Sequence, residues 1–219
     1  MYQLNFSFVG KYLPMMVSGV KLSLVIIVGS MLIGIVLGTI FALFRQSKSR
    51  LLQAAASIWV NVLRNTPFLV QLFFFYYGLP LLGIDTSPVA TSIIALGINT
   101  SAVNCEIIRA GLLAVKTDYY ECAKALGFNR FQTVRLIVLP IALRVAFKPL
   151  TSNFVNLALT SSTAFSITCM EIMGVAKTIS SNTSRPFEVY ILIILLYCIF
   201  TYTISFAAKL IDRRIAIKL

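Results

Sequence analysis

Apolar and charged positions segregate along this chain in blocks rather than residue by residue. Five stretches of at least 20 residues carry no Asp, Glu, Lys or Arg: 22–44, 65–84, 86–105, 149–170 and 189–208. An α-helix rises about 1.5 Å per residue, so roughly 20 apolar residues cross a hydrocarbon layer about 30 Å thick. The blocks therefore predict five transmembrane helices in an all-α polytopic membrane protein. A large soluble core of buried helices is the competing explanation, and it rarely supplies uncharged runs of such even size.

Each block has its own texture. In the first, Ser30, Gly34 and Gly38 recur every fourth residue, a small-residue face that lets a second helix approach closely. Packing within the chain is expected there before dimerisation. The second opens with RNTPFLVQLFFFYYGLP. Pro67 starts or kinks a helix, Asn65 and Thr66 stand ready to cap it, and Pro80 marks its far end. Gln71 either borders a cavity or is satisfied by a neighbouring helix.

The third block runs into INTSAVNCEIIRAG. Glu106 and Arg109 lie three apart on one helix face and are expected to form a structural ion pair. In the fourth, Asn153, Asn156, Thr160 and Thr163 fall at i, i+3, i+7 and i+10, with Ser161 alongside. Lipid offers such a stripe no hydrogen-bond partner, so it must face protein or a wet cavity. A translocation pathway is the expectation, and interhelical hydrogen bonding is the alternative.

Composition supports the membrane reading. Hydrophobic residues make up 58% of the chain and charged ones 12%, against about a quarter charged in ordinary soluble domains. The net charge of +12 would suggest nucleic acid were it gathered on one soluble face. Instead it sorts by loop. Arg45, Lys48 and Arg50 follow the first block. Lys116, Lys124, Arg130, Arg135, Arg144 and Lys148 follow the third, and Lys209, Arg213, Arg214 and Lys218 follow the fifth. Basic loops mark the cytoplasmic side, which places the N-terminus outside and the C-terminus in the cytoplasm. The first apolar run is too long for a cleavable signal core. The four cysteines show no metal spacing and there is no histidine, so the cysteines read as small packing residues and a membrane-embedded enzyme has little to work with. One domain, 1–219, is expected, with a cytoplasmic segment at about 114–148.

That segment is the polar exception. Asp118-x-x-Glu121 and Asn129-x-x-Gln132 each read as a capping box that opens a helix. Gly127 falls just past the first helix, where a left-handed residue is often needed, and Pro140 ends or bends the second. Two short helices joined by a glycine turn are expected, presenting a polar surface for a soluble partner to grip. An amphipathic loop lying on lipid headgroups would need a cleaner apolar stripe than Tyr119, Cys122, Ala123 and Leu126 provide.

The pattern Glu121-Cys122-Ala123, then Gly127, Ile137 and Leu139-Pro140 resembles the EAA loop of ABC importer permeases: Glu-Ala-Ala, three residues, Gly, nine residues, Ile-x-Leu-Pro. Every spacing agrees, and Cys122 replaces the first Ala. RNTPFLVQLF, EIIRAG and SRPFEVY look like the polar amino-acid branch, so the resemblance covers nearly the whole chain. It implies a type I ABC importer-like fold with a cytoplasmic coupling helix pair. It also implies that Glu121, Ala123, Gly127, Ile137, Leu139 and Pro140 belong to an element inserted into a groove of a cytoplasmic ABC ATPase dimer. A second permease subunit, identical or not, and an extracytoplasmic amino-acid-binding protein are the further partners implied, in the inner membrane of a bacterial cell. The chain has no GxxxxGK[ST] phosphate loop, so ATP and Mg are expected on a partner subunit and no cofactor on this one.

Relatives in that family often carry Lys and then an acidic or amide residue where this chain has Leu159 and Thr160. No carboxylate lies between Lys148 and Glu171, and a desolvated cation without a counter-charge costs several kcal/mol. The expected cargo is thus a neutral polar or cystine-like amino acid rather than a cationic one. The substrate pathway is expected along Asn153, Asn156, Thr160, Ser161 and Thr163, with Gln71. An autonomous channel or secondary transporter is the alternative, although internal repeats and a mid-membrane ionisable relay are not evident.

Overall fold

A computed structural model describes residues 3–215, so Lys218, one of the predicted cytoplasmic charges, lies outside them. The longest helix, α1 (Val9–Arg45), buries Met16, Gly19, Ser23, Ile27, Ser30, Gly34, Gly38 and Ala42 along one face, in steps of three and four. From Ile27 onward that face lies against α4 (Pro88–Leu113), which begins at Ser87, whose side chain accepts from the Ala90 amide, with Pro88 as its first residue. Ser30 Oγ donates to the Ile93 carbonyl at 3.2 Å. A methyl group on Gly34 would stand 2.1 Å from Thr100 Cγ2. The small-residue seam is therefore an intramolecular contact between two parallel helices.

Between them the chain makes a broken hairpin. The amphipathic α2 (Arg50–Arg64) buries Ala56, Val60 and Leu63. Its Trp59 stacks on Phe41 with ring centres 4.6 Å apart and donates Nε1–H to Ser101 Oγ at 3.0 Å. The chain then breaks before Pro67, which is extended, and resumes as α3 (Phe68–Leu81), 14 residues long.

After α4 comes a short helix, α5 (Thr117–Ala125), and then a composite helical run. This comprises α6 (Arg130–Thr133), a π-helical turn Val134–Val138, α7 (Leu139–Thr160) and a 3-10 segment Ser161–Ile167. Close packing of Gly111 on Ala142 and a bond between Asn153 and Asn104 set α7 antiparallel to α4. The chain ends in α8 (Ile172–Thr183) and α9 (Pro186–Ile215). Asn5 N–H donates to Glu188 at 3.2 Å, so α9 starts beside the start of α1.

Three described helices combine the length and hydropathy of a membrane crossing: Val9–Arg45, Pro88–Leu113 and Pro186–Asp212, with α3 as a shorter apolar helix. The fourth uncharged block departs from expectation. The block 149–170 is not one helix. Its helix starts at Leu139, ten residues earlier, and the α-helical part stops at Thr160. Arg144 and Lys148 are both exposed on that early part, where long cationic chains can reach out of an apolar layer.

Candidate functional site

The polar hairpin is built by its ends. Helix α5 closes on a Schellman turn, in which Phe128 N–H donates to the Ala123 carbonyl at 2.9 Å and Gly127 N–H to the Lys124 carbonyl at 3.0 Å. Gly127 sits at φ +76°, a left-handed backbone that costs residues with a Cβ about 1–2 kcal/mol. Two residues later Asn129 opens the next helix with a reciprocal capping box: Asn129 Oδ1 accepts from Gln132 N–H, and Gln132 Oε1 from Asn129 N–H, both at 2.9 Å. Ala123 is fully buried, while Glu121, Cys122, Leu126 and Phe131 are exposed.

Two expectations for this segment need correction. The Asp118–Glu121 capping box does not form, because the helix starts earlier. Lys116 occupies the capping position without a side-chain bond, and Asp118 is an acidic residue inside the first turn. Nor is the second helix short. Leu139 N–H donates to the Val134 carbonyl, a five-residue step, and this wider turn lets the chain pass through Pro140 without ending. Ile137 and Pro140 are half-buried and Leu139 is 46% exposed. The hairpin is thus fused to one helical path of about 57 Å.

Along that path the predicted polar stripe divides. Asn153 Nδ2 donates to Asn104 Oδ1 at 2.9 Å, turning inward to α4. Asn156 is exposed. Thr160 Oγ1 donates to the Asn156 carbonyl and Thr163 Oγ1 to the Thr160 carbonyl, while Ser161 is buried against the Ala158 carbonyl. Gln71 is buried at the break between α2 and α3, away from that stripe in its bonding. Its Nε2 reaches the Leu63 carbonyl at 2.9 Å and Thr66 Oγ1 at 2.6 Å. It stitches the loose end of α2.

Glu106 and Arg109 meet through two bonds, Nε and Nη2 to Oε2 at 3.1 and 2.8 Å. Arg45, from the end of α1, takes the other carboxylate oxygen. Sequence reasoning missed Arg45, Asn104 and the fully buried Glu171. The signal for Arg45 is its place as the first charge after the first block, matching Glu106 as the first charge after the third.

A family model described as "binding-protein-dependent transport system inner membrane component" matches residues 34–217. A nopaline transport system permease protein of Agrobacterium fabrum (strain C58) is 36% identical over 202 residues, covering 88% of this chain and 84% of that one. An L-cystine transport system permease protein of Bacillus subtilis (strain 168) is 32% identical over 203 residues, covering 92% and 87%. Among solved structures, an amino acid ABC transporter crystallised with histidines superposes with TM-score 0.88 at 32% identity, over 97% of this chain and 100% of that one.

Proposed function

This chain belongs to the family of binding-protein-dependent transport system inner membrane components and is a permease of an ABC amino-acid importer, not itself an enzyme; from that premise we propose that it carries a neutral polar or cystine-like amino acid inward, driven by a partner ATPase. The observation that carries the reading is the unbroken helical path from the exposed hairpin to the polar face of α7. Glu121, Ala123, Gly127, Ile137, Leu139 and Pro140 form the coupling element. A turn fixed by a Schellman motif and a capping box is stiff enough to transmit a push.

Asn156 and Thr160 on α7 and Thr163 on the 3-10 segment that follows line the path, with Asn153 and Ser161 behind them. Residues 139–167 contain no carboxylate, which favours a substrate without net positive charge. The cystine and glutamine relatives fit this reading, whereas the nopaline relative makes the class of cargo in the family broader. Five crossings agree with the alternating directions of α1, α3, α4, α7 and α9. The basic loops then put the N-terminus outside and the hairpin in the cytoplasm. A second permease subunit would complete the path, and an external binding protein would deliver the cargo.

The test is reconstitution of the purified complex in liposomes with its ATPase and binding protein. Uptake of a neutral amino acid should require ATP and exceed uptake of arginine or lysine. Uptake without nucleotide sinks the importer reading, and preferential uptake of a cationic amino acid sinks the substrate class.

A further inference from the structure

Glu171 has no accessible surface, and four groups from three helices converge on its carboxylate. Oε1 accepts from the Met173 and Gly174 amides at 2.8 and 2.9 Å, capping α8. Oε2 accepts from Ser23 Oγ on α1 at 3.4 Å and from the Tyr197 hydroxyl on α9 at 3.3 Å. Ser23 Oγ in turn accepts from the Ile172 amide at 3.2 Å. A Cβ on Gly174 would lie 2.2 Å from the Cys169 carbonyl, so the turn closes only around a glycine. Met16, Val175, Ile179, Val189 and Ile193 pack the same three helices together beside it.

On the other side of this clasp ends the long helical path from the hairpin. It stops at Ile167, and Thr168 follows at φ +62°. A β-branched residue in the left-handed region is strained, and such strain persists only where the surroundings enforce it. The helical path therefore ends in a strained single-residue joint, and three residues later the chain is fastened to α1 and α9.

We propose that Glu171 is a positioning residue for transport. It holds α8 as part of the α1–α9 body, so that a displacement of α7 is taken up at Thr168 instead of dragging α8 along. A wall that stays put while the path beside it moves is what gives the displacement a direction. The proposal rests on the ATP-driven reading above.

The test uses the whole reconstituted complex with Glu171→Ala, Glu171→Gln and the double variant Ser23→Ala/Tyr197→Phe. Uptake and ATP hydrolysis are measured side by side. Glu171→Ala should lower solute moved per ATP about tenfold while hydrolysis stays within about twofold. Glu171→Gln, which keeps the cap on α8, should lie between it and the parent. Spin labels at Ser181→Cys and Leu32→Cys, in a Cys122→Ala/Cys198→Ser background, report the distance from α8 to α1. In the parent it should be narrow and the same with and without trapped nucleotide, and in Glu171→Ala it should broaden.

If Glu171→Ala does not assemble, the double variant carries the same comparison. Parallel loss of uptake and hydrolysis with an unchanged distance distribution overturns the proposal, as does a parent distance that shifts with nucleotide. Should the parent complex show no ATP-driven uptake, the importer reading has failed and the distances alone decide the role of Glu171.

Discussion

Asn99 Nδ2 donates to Gln71 Oε1 at 3.0 Å and, at 3.5 Å, to the Leu63 carbonyl, and these contacts tie the break between α2 and α3 to the central helix α4. The carbonyls at the end of α2 have no intrahelical partner, and Gln71 supplies one from its other end. Replacing Gln71 with Met keeps the volume but leaves the Leu63 carbonyl with only the 3.5 Å contact from Asn99 and strips Asn99 of its amide acceptor. We expect a loss of about 1–2 kcal/mol, read as a lower unfolding midpoint in detergent. Asn99→Ala removes the same bond, so the double variant should cost less than the two single losses added.

The seam between α1 and α4 tolerates no bulk. Gly34→Leu pushes a side chain into Thr100 and Asn104, and overpacking of this kind costs about 1–3 kcal/mol or more. Gly10→Ala, which meets nothing within 4 Å, is the matched control. Thermal unfolding of the two variants should differ clearly, and equal stability would show that the helices can separate at no cost.

At the hairpin, Gly127→Val places a β-branched residue at φ +76°, with a local cost of about 1–2 kcal/mol. Gly127→Asn should be milder, because Asn visits that region more readily. Helix α5 will then be mis-set rather than unfolded. The expected readout is weaker co-purification of the ATPase for Val than for Asn, with the membrane part intact. Undiminished co-purification of the Val variant would count against the coupling role.

Glu106 sits between two guanidinium groups, all three side chains being 24–33% exposed. Glu106→Gln leaves Arg45 and Arg109 facing each other and should destabilise by about 2 kcal/mol once solvent screening is allowed for. Arg109→Gln should cost less, because Arg45 still neutralises the carboxylate. Unfolding midpoints give the order, and added salt should narrow the gap between the two variants.

What the sequence discloses about this molecule is mainly local. Ser30, Gly34 and Gly38 announce their seam because four-residue spacing maps directly onto one helix face, and Asn129 with Gln132 announces its box because both partners lie within one turn. The register of the fourth block was hidden. Uncharged runs mark where lipid is tolerated, not where a helix begins, and Arg144 and Lys148 ride on the helix ahead of the run. Asp118 has the spacing of a cap, but the helix begins two residues earlier than that cap requires, at Thr117, which puts Asp118 inside the first turn. By sequence Glu171 marks only the end of the carboxylate-free stretch that follows Lys148. Its partners Ser23 and Tyr197 lie 148 and 26 residues away, beyond the reach of any periodicity.

The brevity of α3 reaches into the surrounding lipid. Its 14 residues supply about 21 Å of rise against a layer near 30 Å, while Val70, Phe74, Tyr77 and Leu81 stand exposed along one side. Leaflets that wet this side must dimple toward one another, at a cost that grows with each ångström of mismatch. Acyl-chain length thereby becomes a variable of transport. Short-chain bilayers should relieve the dimple, and long-chain ones should resist any conformation that exposes more of α3.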